Sequence, residues 1–339
     1  MAKYLLKRLL VMLPTLFGVT LVVFAVINLA PGSPVEQRLQ QLRFGGMGNV
    51  EGGKASSTVS DEVLAALNKQ YGFDRPLHER YVIWLGNLAR MDFGESFTYE
   101  EPVVDVVMSK FPVSLQFGVA SLVLSYLICI PLGVFKALHH GGAFDGVSSF
   151  LLFVAYSIPP FMLAILLIVF FSGGTFLNIF PIGGVQSDLY EELSLGGRLL
   201  DRLYHFVLPL FCYTIGSFTS LTILMKNSLL EEIKKDYVRT ARAKGLTENA
   251  VVMRHALRNA LIPVVTGLGS FLMVFFAGSL LLETIFQLDG IGLLSYRSIL
   301  SRDYNVIMGL VFIQSFLFLI GNLISDVAYV LVDPRIDFT

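Results

Sequence analysis

Cysteine is nearly absent from this sequence: Cys129 and Cys212 are the only two in 339 residues. Two cysteines cannot build a disulfide framework, and neither has a neighbouring Cys or His at metal-ligand spacing. Both lie in long apolar runs, where a cysteine reads as a small buried hydrophobe. Charge is also scarce. Asp, Glu, Lys and Arg make up 15% of the chain, well below the share of about 25% usual in a soluble domain. Neither sign dominates, since 25 basic and 26 acidic residues leave a formal charge of -1. A nucleic-acid binder would show a basic stripe, and none is present. H-E-x-x-H and G-x-S-x-G are missing as well. What the chain has in abundance is apolar residues, 54% of the total, gathered into long blocks.

A membrane-spanning helix needs roughly 20 mainly apolar residues to cross the hydrocarbon at 1.5 Å per residue. Six stretches qualify: Leu9–Ala30, Val113–Phe135, Val147–Phe171, Phe206–Met225, Leu261–Leu282 and Val306–Val330. The fold class is therefore all-α, a polytopic integral membrane protein with six transmembrane helices. Lys3, Lys7 and Arg8 precede the first span, which is too long for a signal-peptide core and lacks a good cleavage site at Ala30-Pro31-Gly32. Six spans place both termini on one side of the membrane. The loop after the fourth span holds Lys226, Lys234, Lys235, Arg239, Arg242, Lys244, Arg254 and Arg258. The short loops opposite hold only Arg198 and Arg202, and Arg297 and Arg302. By the positive-inside rule both termini face the cytoplasm.

The chain divides into an N-terminal end and first span (1–30), an external segment (31–112) and a core of five spans (113–339) containing the cytoplasmic loop 226–260. The first part of the external segment, Phe44 to Ser60, is rich in Gly and Ser and reads as a flexible linker. Ser60-Asp61-Glu62 can cap a helix through Val63, Leu64, Leu67 and Tyr71, stopped by Gly72. A second helical pattern follows Pro76, with Tyr81, Trp84, Leu85 and Leu88 on one side.

Two motifs look chemical. Gly48 to Lys54 matches G-x-x-x-x-G-K, but Ala55 stands where the magnesium-binding hydroxyl of a phosphate loop belongs, and no strand precedes it. ATP binding by this chain is not expected. His140 and Asp145 match H-x-x-x-x-D, the pair with which glycerolipid acyltransferases deprotonate a hydroxyl. The nearest Pro-Gly candidate for a substrate site, Phe180 to Gly183, lies across the third span, and a general base cannot act from the opposite leaflet. A short polar turn is the plainer reading, and a membrane-embedded lipid acyltransferase using His140 and Asp145 is the alternative function class.

The specific signal lies between Asn227 and Pro263. Glu231 and Glu232 precede Lys234 and Lys235 at spacings that support an exposed helix. The segment from Asp236 to Gly245 reads as a second short helix, with small Ala241 and Ala243, cations near its end and Gly245 as its stop. A further helix then leads through His255 into the fifth span. A short helix between two chain breaks, just below a membrane, suits docking into a partner's groove; a solvated basic loop is the bland reading.

At these residues the chain resembles a family. Arg239-Thr240-Ala241-Arg242-Ala243-Lys244-Gly245, with His255-Ala256-Leu257-Arg258-Asn259-Ala260, is similar to the cytoplasmic loop of ABC-importer permeases of the dipeptide/oligopeptide class. Ala241, Gly245 and Leu257 fit the broad pattern E-A-A-x-x-x-G, nine residues, I-x-L-P, whereas Arg239, Thr240, His255 and Arg258 follow the peptide-transporter version. The resemblance extends through Tyr71-Gly72-Phe73-Asp74-Arg75-Pro76, Asp92-Phe93-Gly94-Glu95-Ser96, Glu283-Thr284-Ile285-Phe286, Arg302-Asp303-Tyr304 and Asp333-Pro334-Arg335-Ile336. Phe170 to Gly174, Phe180-Pro181 and the ending Leu331 to Phe338 look like the Yej-type branch, whose members handle peptides and peptide-like antibiotics such as microcins.

The resemblance implies a type I ABC-importer permease, non-catalytic in itself, in a bacterial inner membrane and surrounded by lipid. Its partners would be a second homologous permease, two ATP-binding subunits and a periplasmic peptide-binding protein. ATP and Mg would sit on the ATPase subunits, with no cofactor and no metal in this chain. Asp236, Tyr237, Arg239, Thr240, Ala241, Lys244, Gly245 and Leu246 would form the ATPase-coupling helix. Thr266, Ser270 and Ala277, near one face of the fifth span, are the candidates for the translocation path, although small residues also simply let membrane helices pack. Tyr71, Phe73, Asp74, Asp92 and Glu95 are the candidates for contact with the binding protein. Glu283 and Asp326, near the ends of spans five and six, read as structural hydrogen-bonding groups or as part of the path.

Overall fold

The computed structural model of the chain describes residues 2–29, 74–174, 176–266 and 278–332. Among these residues the regular structure is helical, apart from one isolated antiparallel bridge between Glu95 and Pro102. The helices used below are α1 (Ala2–Leu29), α2 (Leu77–Leu88), α3 (Val103–Leu138), α4 (Ala143–Ser157), α5 (Pro160–Phe171), α6 (Leu195–Ile233) and α7 (Asp236–Ala243). They continue with α8 (Glu248–Ala250), a π-helical stretch (Val251–Ala256), α9 (Leu257–Ala260), α10 (Ile262–Thr266), α11 (Leu280–Ile285), α12 (Ile291–Leu300) and α13 (Tyr304–Val332). Four of the described helices are long and apolar enough to cross a membrane, with α4 and α5 together making a fifth if they count as one span. The all-α membrane class follows directly.

The span expected over Val147–Phe171 is not straight. α4 and α5 meet at an angle of 94°. Pro159 lacks an N–H and disfavours helical geometry in the residue before it, so Ile158 is extended at φ -90°, ψ 118°. Pro160 then occupies the first turn of α5, where its missing N–H costs nothing. Ile158-Pro159-Pro160 is legible in the sequence as a break, and apolar length alone conceals it. Other spans are longer than the apolar runs. α3 starts ten residues before Val113 and carries Pro112 within it, and α6 continues past Met225 to Ile233. Much of the fifth span, 267–277, lies outside the described residues.

The chain forms two compact units, one from 1–8, 111–293 and 317–339, the other from 9–110 and 294–316. In the first unit α3 and α6 pack closely because Gly133 has no side chain. A Cβ there would lie 2.7 Å from Met225 Cβ and 2.8 Å from the Thr222 carbonyl oxygen. Around this crossing Cys129, Ala137, Leu221, Met225 and Leu229 form a core. A second cluster holds Phe117, Ala164, Leu208, Cys212, Leu282 and Phe286, with Phe117 stacked 4.3 Å from Phe206. Both cysteines are free and buried, as their apolar surroundings predict.

Glu283 is buried in this unit. It accepts hydrogen bonds from Ser114 Oγ at 2.8 Å, the Leu293 amide at 2.8 Å and the Ser279 amide at 3.3 Å. Side chains at Gly278 or Gly290 would collide with its carboxylate. Asp326 pairs with Arg8 at 3.0 Å. Structural hydrogen bonding is what the described residues give both groups.

In the second unit, α2 anchors to α1 through Tyr81, whose hydroxyl meets Thr20 Oγ1 at 2.9 Å and donates to the Phe17 carbonyl at 3.2 Å. Asp303, fully buried, caps α13 through the Val306 amide and accepts from Ser96 Oγ at 2.5 Å and the Thr98 amide at 3.0 Å. The Asp92–Ser96 and Arg302–Tyr304 motifs, more than two hundred residues apart, are thus tied together.

Replacing Gly133 with Leu should destabilise the protein by about 1–3 kcal/mol or more, since the clash is partly with backbone. At Gly146 a Cβ would meet nothing within 4 Å, and Gly146→Ala should be neutral or slightly stabilising. Size-exclusion profiles and melting curves of the detergent-solubilised variants check the contrast.

Candidate functional site

The loop helix expected from Asp236 to Gly245 forms as α7. Lys234 ends α6, and Lys235, extended at φ -72°, ψ 151°, starts the new helix. Asp236 in the first turn and Arg242 in the last complement the helix dipole. The chain leaves α7 at Gly245, whose φ of +79° is the left-handed conformation that favours glycine. Its amide donates to the Arg242 carbonyl at 2.9 Å, and that of Lys244 to the Thr240 carbonyl at 3.1 Å.

This helix has two unlike faces. Val238 and Ala241, three residues apart, are buried at 0% and 6% exposure in the core that holds Met225, Leu229, Val251, Val252 and Ala256. Asp236, Tyr237, Arg239, Thr240, Lys244, Gly245 and Leu246 are exposed. The loop is therefore not merely solvated: one side is built into the membrane unit, and the other presents charge and one aromatic ring. Among the residues named for this helix, Ala241 belongs to the inner face, where it fixes the helix in place.

Side-chain bonds hold α7 at both ends. Tyr237 donates its hydroxyl to Glu232 Oε2 at 2.5 Å and accepts from Asn259 Nδ2 at 3.0 Å, linking α6, α7 and α9. Partial desolvation and the neighbouring Glu232 carboxylate push the Tyr237 phenol above its ordinary value. Glu232 also pairs with Lys235, the spacing anticipated in the sequence, but the carboxylate is buried rather than exposed. Beyond Gly245, Glu248 forms a bidentate pair with Arg242, which holds the Glu248 carboxyl below its usual range. With a depressed folded value, this pair contributes above the unfolded carboxyl range and is lost as pH falls through the lowered one. The helix expected through His255 is interrupted by the π-helical stretch Val251–Ala256, an irregularity without a periodicity signal.

His140 and Asp145 do meet, at 3.2 Å. The carboxylate, however, is occupied by Lys226 Nζ at 2.7 and 2.8 Å, by Lys136 at 3.2 Å and by the Gly141 amide at 3.2 Å. Lys136, fully buried, adds bonds to Ser148 and Ser149. Asp145 is the hub of an ion cluster joining α3, α4 and α6. Lys226, which the sequence presents as a loop cation, belongs to that cluster.

The residues named for the external contact are only partly placed. Tyr71 and Phe73 lie outside the described residues. Asp74 and Asp92 line a cavity of about 510 Å³ with Arg75, Arg80 and Trp84, whereas Glu95 is engaged through its backbone in the bridge to Pro102 and in a bond from Asn305. Of the path candidates, Thr266 ends α10, and Ser270 and Ala277 lie outside the described residues. Among the described residues no group of three or more His, Cys, Asp or Glu converges as a metal site.

Val238→Asp should strand a carboxylate in the core and cost several kcal/mol, on the order of the penalty for an unpaired buried charge. Arg239→Gln, at a side chain 75% exposed, should change stability by less than about 0.5 kcal/mol. Thermal unfolding of the two variants measures the difference between the inner and outer faces.

Residues 129–338 match the family described as binding-protein-dependent transport system inner membrane component. The chain is 41% identical to the inner membrane ABC transporter permease protein YejB of Escherichia coli O157:H7, covering 100% of this chain and 99% of that one. It is 41% identical to the peptidoglycan transport system permease protein YejB of Agrobacterium fabrum, with the same coverage, and 35% identical to the oligopeptide transport system permease protein AppB of Bacillus subtilis over the whole of both chains. By this match along most of its length, the chain belongs to the family of inner-membrane permease components of binding-protein-dependent transport systems.

Proposed function

We propose that this chain is one of two permease subunits in an ATP-driven importer of peptides or peptide-like compounds. The observation that carries the reading is α7: an apolar face packed into the protein's own helical core and a charged face turned outward, at the residues of the peptide-permease loop motif. A helix so built can receive a push from a partner and pass it inward. Peptides as cargo are supported by relatives named as peptide and oligopeptide permeases, aligned over the full chain.

The partners in this reading are a second, similar permease, two ATP-binding subunits holding ATP and Mg, and an external peptide-binding protein. Both termini and α7 face the cytoplasm, as the distribution of Lys and Arg favours. When the ATPase subunits close, α7 moves with them. Val238 and Ala241 share a core with Met225 of α6 and Cys129 of α3, so the displacement reaches those helices directly. The permease then alternates between inward- and outward-facing arrangements. Thr266, Ser270 and Ala277 line the path in this scheme, and the external segment that carries Tyr71, Phe73, Asp74, Asp92 and Glu95 meets the binding protein. This chain performs no chemistry of its own. The acyltransferase alternative has no support, because Asp145 is committed to Lys136 and Lys226 and the family is one of transport components.

Gly245 offers the sharpest test. A side chain there meets nothing within 4 Å but must adopt φ +79°. Asn tolerates that conformation, and other residues pay about 1–2 kcal/mol. Gly245→Trp should leave a folded chain with uptake of a radiolabelled tripeptide reduced more than tenfold in proteoliposomes of the full transporter, while Gly245→Asn retains most of it. Normal uptake by the Trp variant would overturn the coupling assignment.

A further inference from the structure

The cavity beside α2 has properties that peptide transport does not require. It lies within one unit, between the last turns of α1 (Phe24, Ile27, Asn28), α2, and the first two turns of α13 (Tyr304, Met308). Two apolar spans end at this place: Leu6–Leu29 closes here and Tyr304–Ile324 begins here. The first span has 24 residues, and at 1.5 Å per residue it exceeds the hydrocarbon thickness of about 30 Å, so its end reaches the headgroup region. The cavity therefore straddles the boundary between acyl chains and headgroups.

Its lining is divided accordingly. Phe24, Ile27 and Met308 are apolar, and Trp84 and Tyr304 are of the type that collects at membrane interfaces. The charged lining residues are Asp74 and Asp92 against Arg75 and Arg80, a balance of two and two. Arg80 stands over the Phe24 ring at 5.9 Å, which turns a guanidinium toward the apolar end. The Trp84 indole N–H is buried and has no hydrogen-bond partner among the described residues.

We infer that this cavity binds a zwitterionic aminophospholipid such as phosphatidylethanolamine. The phosphate lies with Arg75 and Arg80, the ammonium with Asp74 and Asp92, and an acyl chain runs along Phe24 and Ile27. The balanced charge selects against anionic lipids, because the two aspartates repel a net negative headgroup that offers no cation. The bound lipid ties the external segment to the membrane surface.

Trp84 is the only tryptophan in the chain, so its fluorescence reports on this site alone. The full chain is reconstituted in phosphatidylcholine vesicles containing increasing amounts of bromine-labelled phosphatidylethanolamine or phosphatidylglycerol with the same acyl chains. Quenching by the ethanolamine lipid should saturate at about tenfold lower mole fraction than quenching by the glycerol lipid, the effect of one charge-assisted hydrogen bond. Arg80→Gln should bring the two curves close together, and Arg75→Gln serves if that variant is not recovered folded. Equal, non-saturating quenching of the unaltered protein by both lipids would overturn the proposal. So would a Trp84 response to soluble trialanine in place of a lipid preference.

Discussion

A chain this apolar must satisfy its buried polar groups from within, because a buried polar group left unpaired is costly. Three buried carboxylates show how it does this. Asp303 collects Ser96, Thr98 and the first turn of α13. Glu283 collects Ser114, Ser279 and Leu293. Asp145 collects Lys136, Lys226, His140 and Gly141. Each joins segments distant in sequence, and each would be an expensive uncompensated charge if its partners were withdrawn. The fold is held in register by these points, since apolar contact between lipid-like side chains discriminates weakly among helix arrangements.

The second consequence concerns close approach. Gly133 lets α3 meet the backbone of α6, and Gly278 and Gly290 make room for the Glu283 carboxylate. From the crossing at Gly133 one apolar core runs without interruption to Val238 and Ala241. The loop helix α7 is thus a continuation of the helical core rather than an attachment to it. Packed interiors are dense and transmit displacement, which is the mechanical property a coupled permease needs.

Much of this is legible in the residues. Four of the apolar runs reappear within long helices, α7 begins at Asp236 and stops before Gly245, and α2 follows Pro76 with Tyr81 inward. These features depend on local rules: apolar length, a glycine stop, a proline start. Local rules fall short where local and non-local information diverge. Val147–Phe171 has the length of a single span, yet Pro159 and Pro160 bend it by 94°. Glu232 has the spacing of an exposed helical ion pair, yet it is buried beneath Tyr237. His140 and Asp145 have the spacing of a catalytic pair, and only the arrival of Lys226 from 81 residues away shows what the carboxylate does.

The sequence by itself determined the class of protein, its apolar helices, the position of the loop helix and its glycine exit. Those follow from hydrophobic length and backbone conformational preference, which act within a few turns of chain. Tertiary structure alone decided that Val238 is the buried face of that helix, that Ser96 belongs to Asp303, and that Asp74, Asp92, Arg75 and Arg80 surround one cavity. Such pairings depend on which segments the packing brings together, and a carboxylate's role is set by the donors that reach it rather than by its neighbours in the chain.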